Sequence, residues 1–233
     1  MKNLVYLCLF FWLLFVSCSA RIDGSLSADG SASMSINMSL GSRVTALIRS
    51  MAAAGGQADA PILDSTAINR TMSAAPGISS VSFRNTSPSA LEGTVRISGI
   101  NNFLAGAGGR GFVTFEQNNS GGRCTINISR SNSAEIVSLL SSEVDDYLNA
   151  LMAPFATGDE ITKAEYLELI ELFYNKPISD EIAASRIRAS IEFPGTITSV
   201  RGGTYSGRRA EFDIALVDLL VLESPVNLEV QWR

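Results

Sequence analysis

Ser33-Met34-Ser35-Ile36-Asn37-Met38-Ser39-Leu40 places an apolar side chain at every second position. Successive side chains of a strand point to opposite faces, so Met34, Ile36, Met38 and Leu40 share one face and the serines and asparagine take the other. A helix would scatter the same four residues around its circumference. The period of two returns in Ile187, Ala189 and Ile191, and again in Val226, Leu228, Val230 and Trp232. Between these ends the period changes. Tyr166, Leu167, Leu169, Ile170 and Phe173 recur at helical spacing behind Thr162-Lys163-Ala164-Glu165. That opening reads as a capping box, in which Thr accepts from an orphan N–H and Glu reaches back to the cap. Strands at both ends with helices between them predict an α+β fold. A single domain is expected over 18–233, with residues 133–176 as its helical section.

Further elements follow from local signals. Asp23-Gly24 and Asp29-Gly30 sit in near repeats and favour tight turns, because glycine accepts positive φ. Their carboxylates are too few at ligand spacing for a calcium loop. Ser42 reads as the N-cap of a helix with Val44, Leu47, Ile48 and Met51 on one face, ending at Gly55-Gly56. A second short helix over Pro61–Thr71 precedes Pro76-Gly77. Strands are predicted over Ile78–Arg84 and Leu91–Ser98, and a hairpin over Phe112–Gln117 and Arg123–Ser129 with Asn118–Gly122 as its turn. Ser133 starts a helix that continues toward Pro154, and the helix after Thr162 stops near Asn175-Lys176-Pro177. Strands then cover Ile187–Ile191, Thr196–Val200, Arg209–Ile214 and Val226–Trp232, with a short apolar turn or helix at Leu216–Leu222.

Several function classes are excluded or weakened. The 233 residues contain no histidine, which removes Ser-His-Asp and Cys-His nucleophile systems and histidine zinc sites. The net charge is −5 with Lys and Arg scattered singly, a poor footprint for nucleic acid or anionic membrane. Gly106-Ala107-Gly108-Gly109-Arg110-Gly111 matches G-x-G-x-x-G by letter, but a strand-like segment follows it where a dinucleotide site needs a helix. Glu165, Glu168 and Glu171 recur every three residues and read as a solvated acidic face rather than metal ligands. Asp145-Asp146 and Asp159-Glu160 have no general-base context. The chain is expected to be non-enzymatic, with no metal or cofactor.

The N-terminus carries the clearest functional signal. After Lys2, an uncharged run of about thirteen residues from Leu4 to Val16 is too short for a spanning helix, which needs ~20. It has the length and flanks of a secretory leader, ending in Phe15-Val16-Ser17-Cys18. This resembles a bacterial lipoprotein signal of the relaxed spirochaete type, with residues 1–17 removed and acyl chains attached to Cys18. Cys8 leaves with the leader, so Cys124 stands alone and reads as a small buried side chain. Only Ser19–Arg21 separates Cys18 from the first ordered segment, which places the domain close to a membrane.

A second resemblance covers most of the mature chain. Ile191-Glu192-Phe193-Pro194-Gly195-Thr196-Ile197-Thr198-Ser199, then Gly202-Gly203 and Ser206-Gly207, is similar to the mycobacterial lipoprotein M family of LppM-like domains. Asp29-Gly30-Ser31 before an alternating strand, and Glu92-Gly93 with Gly99-Ile100-Asn101-Asn102-Phe103-Leu104, resemble it as well. Phe212 stands where the family carries a Trp. The resemblance implies a curved antiparallel sheet with helices packed on one face; residues 133–176 read as a helical insertion relative to the family, and the terminal apolar helix of many members is not expected here. The resemblance implies a lipid or glycolipid ligand in an apolar cavity, without catalysis. The expected walls are the faces of the two amphipathic helices over the hairpin: Leu47, Met51, Leu167 and Ile170 above Phe115 and Ile128. The expected setting is the cell envelope, with the membrane as partner through Cys18. The alternative is an envelope scaffold that contacts protein partners and binds no small ligand. Phe193, Phe212 and Trp232 are expected to be buried.

Overall fold

Strand β1 (Ser19–Leu26) opens the described part of the chain. The computed structural model describes residues 19–54, 62–106, 112–118, 120–137, 148 and 151–233. Cys18 and the leader lie outside these residues, as do Gly55-Gly56, the glycine loop 107–111 and Asp145-Asp146. The elements that follow are β2 (Ala32–Ser39), α1 (Ser42–Ala54), α2 (Ser65–Ser73), β3 (Ile78–Ser87), β4 (Ala90–Ile97) and α3 (Ile100–Gly106). Next come β5 (Val113–Asn118), β6 (Gly121–Ile128), α4 (Arg130–Val137), α5 (Pro154–Thr157), α6 (Lys163–Phe173) and α7 (Lys176–Ala184). The chain closes with β7 (Arg186–Glu192), β8 (Ile197–Arg201), β9 (Thr204–Ser206), β10 (Arg209–Ala215), α8 (Leu216–Val221) and β11 (Val226–Trp232).

The fold is α+β, and its strands divide into two sheets. One has seven strands in the order β3-β4-β2-β1-β7-β10-β9, the other four in the order β5-β6-β11-β8. Pairing is antiparallel except between β1 and β7, where Ser19 lies beside Arg186 and Ser25 beside Glu192. A parallel pair needs a long crossover, and here it is supplied by everything between β1 and the end of α7. The Asp-Gly repeats separate into two roles. Asp29-Gly30 makes the β1–β2 turn, with Gly30 at φ 77° and the Asp29 carboxylate accepting from the Ser31 N–H at 2.9 Å. Gly24 is inside β1, contrary to the turn reading. A Cβ there would sit 3.0 Å from Ile191 Cδ1 and 3.3 Å from Met34 Cγ, so close packing between strands requires it.

Three helices, α1, α7 and α8, meet the large sheet at one end. Ser39 closes β2 opposite Ser19, Arg186 opens β7 beside Ser19, and Ala215 closes β10 opposite Arg186. Helices α1, α7 and α8 join the chain at these three strand ends. The N-terminus of α1 is capped from α7, where the Glu181 carboxylate accepts the N–H groups of Val44 at 2.9 Å and Arg43 at 3.2 Å. The capping box on α6 is present as expected, with Glu165 accepting from the Thr162 N–H at 2.7 Å. The helix after Thr162 stops near Asn175-Lys176-Pro177 as expected, with α6 ending at Phe173, and the same residues open a further helix. Asn175 accepts from the Ile178 N–H at 3.1 Å and starts α7, with Pro177 in the first turn, where its missing N–H costs nothing.

Two apolar cores result. The helical core centres on Val44, Leu151, Tyr166, Ile170, Ile182 and Val221. The inter-sheet core holds Leu26, Phe83, Leu91, Phe193, Phe212, Val230 and Trp232. Phe193, Phe212 and Trp232 are 4%, 7% and 3% exposed, as the alternation predicts. The free edge of β3 is protected by α2: the Asn69 side chain accepts from the Phe83 N–H at 2.7 Å and donates to its carbonyl at 2.8 Å, imitating a neighbouring strand.

Candidate functional site

The inner faces of the two sheets do not close on each other completely. Between them lies a cavity of about 310 Å³. Ile22 and Leu26 of β1, Ala32 and Met34 of β2, and Ala189 and Ile191 of β7 form one wall. Val113, Cys124, Ile126, Leu228 and Val230 from the small sheet form the other, and Ile100 and Phe103 of α3 complete it. Among the described residues on the lining, only Ser25 and Glu229 are of clearly polar type.

Residue size explains the space. Stacked sheets sit about 10 Å apart, and inward side chains from both must interdigitate to fill the gap. At Ala32, Ala189 and Cys124 the inward positions carry small side chains. Beside the cavity, larger rings do fill the gap: Trp232 lies 5.1 Å from Phe193 and 5.9 Å from Phe115, centroid to centroid. The cavity occupies the half of the large sheet away from Ser19, since its β1 contacts begin at Ile22 and extend to Leu26.

The wall is chemically quiet. Burial pushes the Cys124 thiol up to about 11, so it stays protonated at neutral pH and behaves as a small apolar group. Glu229 points its charge to a partner, with Oε2 accepting from Arg123 at 2.9 Å and Oε1 from Gln231 at 2.6 Å. These bonds hold its carboxyl below the ordinary carboxylate range, the Arg123 bond contributing most.

A larger concavity of about 580 Å³ lies on the outer face of β1, β7, β10 and β9. It gathers Arg21, Arg188 and Arg209 with Asp23, Glu211 and Asp213. Its charges balance in number and several are already paired, Arg21 to Asp23 at 2.7 Å and Asp213 to Arg186 at 2.9 Å. These groups are solvated, so a ligand there would compete with water and with existing partners. The apolar cavity offers the stronger driving force for binding although it is smaller.

The residues expected to form a ligand wall do not meet there. Ile170 is fully buried in the helical core, and Leu47, Leu167 and Ile128 pack partly buried against the same core. Met51 is 43% exposed at the end of α1. Phe115 packs on Trp232 against the inter-sheet core and does not line the cavity. The apolar faces of α1 and α6 are used chiefly in packing on other helices. Cys18 lies outside the described residues. Among the acidic candidates, Glu165 is held in the capping box and Asp159 accepts from the Thr157 hydroxyl at 2.6 Å. The cavity does have a sequence signal. Small residues interrupt otherwise large inward-facing positions at Ala32 in β2 and Ala189 in β7.

No family model and no curated protein matches this chain. Among solved structures it is similar to the NMR structure of the folded domain of Mycobacterium tuberculosis LppM. The identity is 11%, the TM-score is 0.41, and the match covers 93% of this chain and 90% of that one. Among the described residues, no helix is long and apolar enough to cross a membrane.

Proposed function

We propose that this chain is a lipoprotein of the bacterial cell envelope, anchored through Cys18, that binds the acyl chain of an amphiphile between its two sheets. The observation that carries the reading is the apolar cavity of about 310 Å³. Ligand pockets start at roughly 300 Å³, and an engineered apolar cavity of about 150 Å³ stays dry and binds benzene. Water gains little in such a space, because almost nothing on its walls can hydrogen-bond. Each buried methylene contributes about 0.8 kcal/mol, so a short run of them gives useful affinity. The wall residues that could ionise are protonated (Cys124) or paired (Glu229), which favours binding over catalysis. The secretory leader and Cys18 place the domain beside a source of amphiphile.

The test uses the full chain purified from membranes in mild detergent, incubated with bacterial lipid extract, and weighed by native mass spectrometry. The expected result is one retained lipid beyond the N-terminal acyl groups, lost in Ala189→Leu. If the parent retains no lipid, the chain is a scaffold with no small ligand. If Ala189→Leu retains as much as the parent, the site lies elsewhere. Cys18→Ala in parallel reads the anchor: the variant is expected to lose acyl mass and leave the detergent phase.

A further inference from the structure

The apolar arc of α6 is wider than the protein uses. Tyr166 and Ile170 are 1% and 0% exposed, whereas Leu169, Leu172 and Phe173 on the adjoining arc are 38%, 78% and 63% exposed. These three stand at i, i+3 and i+4, so they form one contiguous patch at the C-terminal end of the helix. A patch of large apolar side chains at a helix tip marks a contact surface.

The topology says what lies opposite it. From Phe173 the chain turns through Tyr174-Asn175 into α7, which has 9 residues and spans about 14 Å at 1.5 Å per residue. Helix α7 runs directly into β7, whose Arg186 is paired with Ser19. Ser19 follows Cys18 with no spacer, because β1 starts there. The exposed tip is therefore one short helix away from the residue that carries the anchor, on the end of the sheet where α1, α7 and α8 join it.

We infer that Leu169, Leu172 and Phe173 insert into the interfacial region of the membrane that holds the Cys18 acyl chains. The inference rests on the proposed anchor at Cys18. An interfacial helix sinks its apolar face about 5–10 Å into the boundary between headgroups and chains. Anchor and patch then make two contacts on one bilayer, which fixes the domain's orientation and turns the cavity half of the large sheet away from the surface. Glu168 and Glu171 are exposed on the same helix, so the surface it fits is zwitterionic rather than anionic.

Tryptophan quenching on the full acylated chain tests this. Trp12 lies in the leader and Trp232 is 3% exposed, so the parent's background is one buried indole, subtracted as the parent spectrum and shielded from bromine. Leu172→Trp places a probe in the patch. Tyr205→Trp places one 48% exposed at the opposite end of the large sheet, where Tyr205 pairs with Ala210. Both variants are reconstituted in phosphatidylcholine vesicles with brominated acyl chains, after circular dichroism shows the parent fold. The expected result is a blue-shifted Leu172→Trp emission quenched about twofold, as for an interfacial residue, with Tyr205→Trp unaffected. Equal lack of quenching at both positions overturns the inference. A blue shift that ignores bromine and depends on protein concentration also overturns it, and assigns the patch to a second copy of the chain. If the protein does not float with the vesicles at all, the anchor reading has failed and the inference falls with it. Flotation without quenching removes the inference alone.

Discussion

The helical core and the inter-sheet core are built from the same kinds of side chain, yet a cavity of about 310 Å³ lies between the sheets while the central side chains of the helical core are completely buried. In the helical core, Val44, Leu151, Ile170, Ile182 and Val221 are each 0% exposed, and Tyr166 donates its hydroxyl to the Leu151 carbonyl at 3.1 Å. Helix surfaces offer ridges and grooves, so Leu and Ile of adjacent helices can mesh at several angles. Two sheets hold their backbones at a fixed distance and cannot approach to close a gap. Where the inward residues are Ala32, Ala189 and Cys124, the gap persists. Apolar periodicity alone therefore does not show where a gap between packed elements remains. Residue size at the inward positions does.

Matched substitutions can break this contrast. The largest effect is expected for Ile170→Ala, which opens a void in a filled core and should cost toward the upper part of the ~2–5 kcal/mol range. Ile126→Ala faces existing space, loses fewer contacts and should cost near or below its lower end. Urea unfolding of both variants reads the difference; equal losses would mean the two cores are equally filled.

Enlargement sharpens the comparison in the other direction. Ala153 is 0% exposed in the helical core, so Ala153→Leu should destabilise by about 1–3 kcal/mol through overpacking. Ala189→Leu has room beside the cavity and should shift stability by less than about 1 kcal/mol. A large loss at Ala189 would contradict the cavity.

Smaller effects test how the helical end is fastened to the sheet. Glu181→Ala removes the carboxylate that caps α1 from α7, and Thr162→Ala removes the capping box of α6. Each should cost about 1 kcal/mol, measured by thermal unfolding. The smallest effect is acid sensitivity through Glu229. Its carboxyl is held below the ordinary value of 4.5 by Arg123 and then Gln231, so the folded state binds fewer protons than the unfolded state in that range. The associated stabilisation is complete above the unfolded value and is lost as pH falls through the folded one. The stability gap between parent and Glu229→Gln should therefore narrow from about pH 6 to about pH 3, and a constant gap would show that the Arg123 pair does not hold the proton off.

Much of the fold was legible in the residues. The alternation around Ile36, the capping box at Thr162 and Glu165, and the hairpin from Val113 to Ile128 are local signals, and the structure contains each of them. The misses have physical reasons. Asn175-Lys176-Pro177 ends α6 as expected and also starts α7, a helix that went unpredicted and that is held by the packing of Ile178 and Ile182 into the helical core. The seven-stranded sheet is joined by β1 pairing in parallel with β7, a long-range choice that no local pattern encodes. The candidate wall followed the apolar faces of α1 and α6, which pack largely on other helices. Ala32 and Ala189 are the clue to the cavity, because a small residue in a row of large inward ones marks where a gap can remain.

The central claim is that an acyl chain lies between the sheets, and anomalous scattering tests it most directly. The protein is crystallised after loading with a fatty acid brominated along its chain, and data are collected at the bromine edge. The account predicts an anomalous peak enclosed by Met34, Cys124, Ala189 and Leu228. A peak among the helices near Leu47 and Ile170, or no peak inside the protein at saturating ligand, would contradict it.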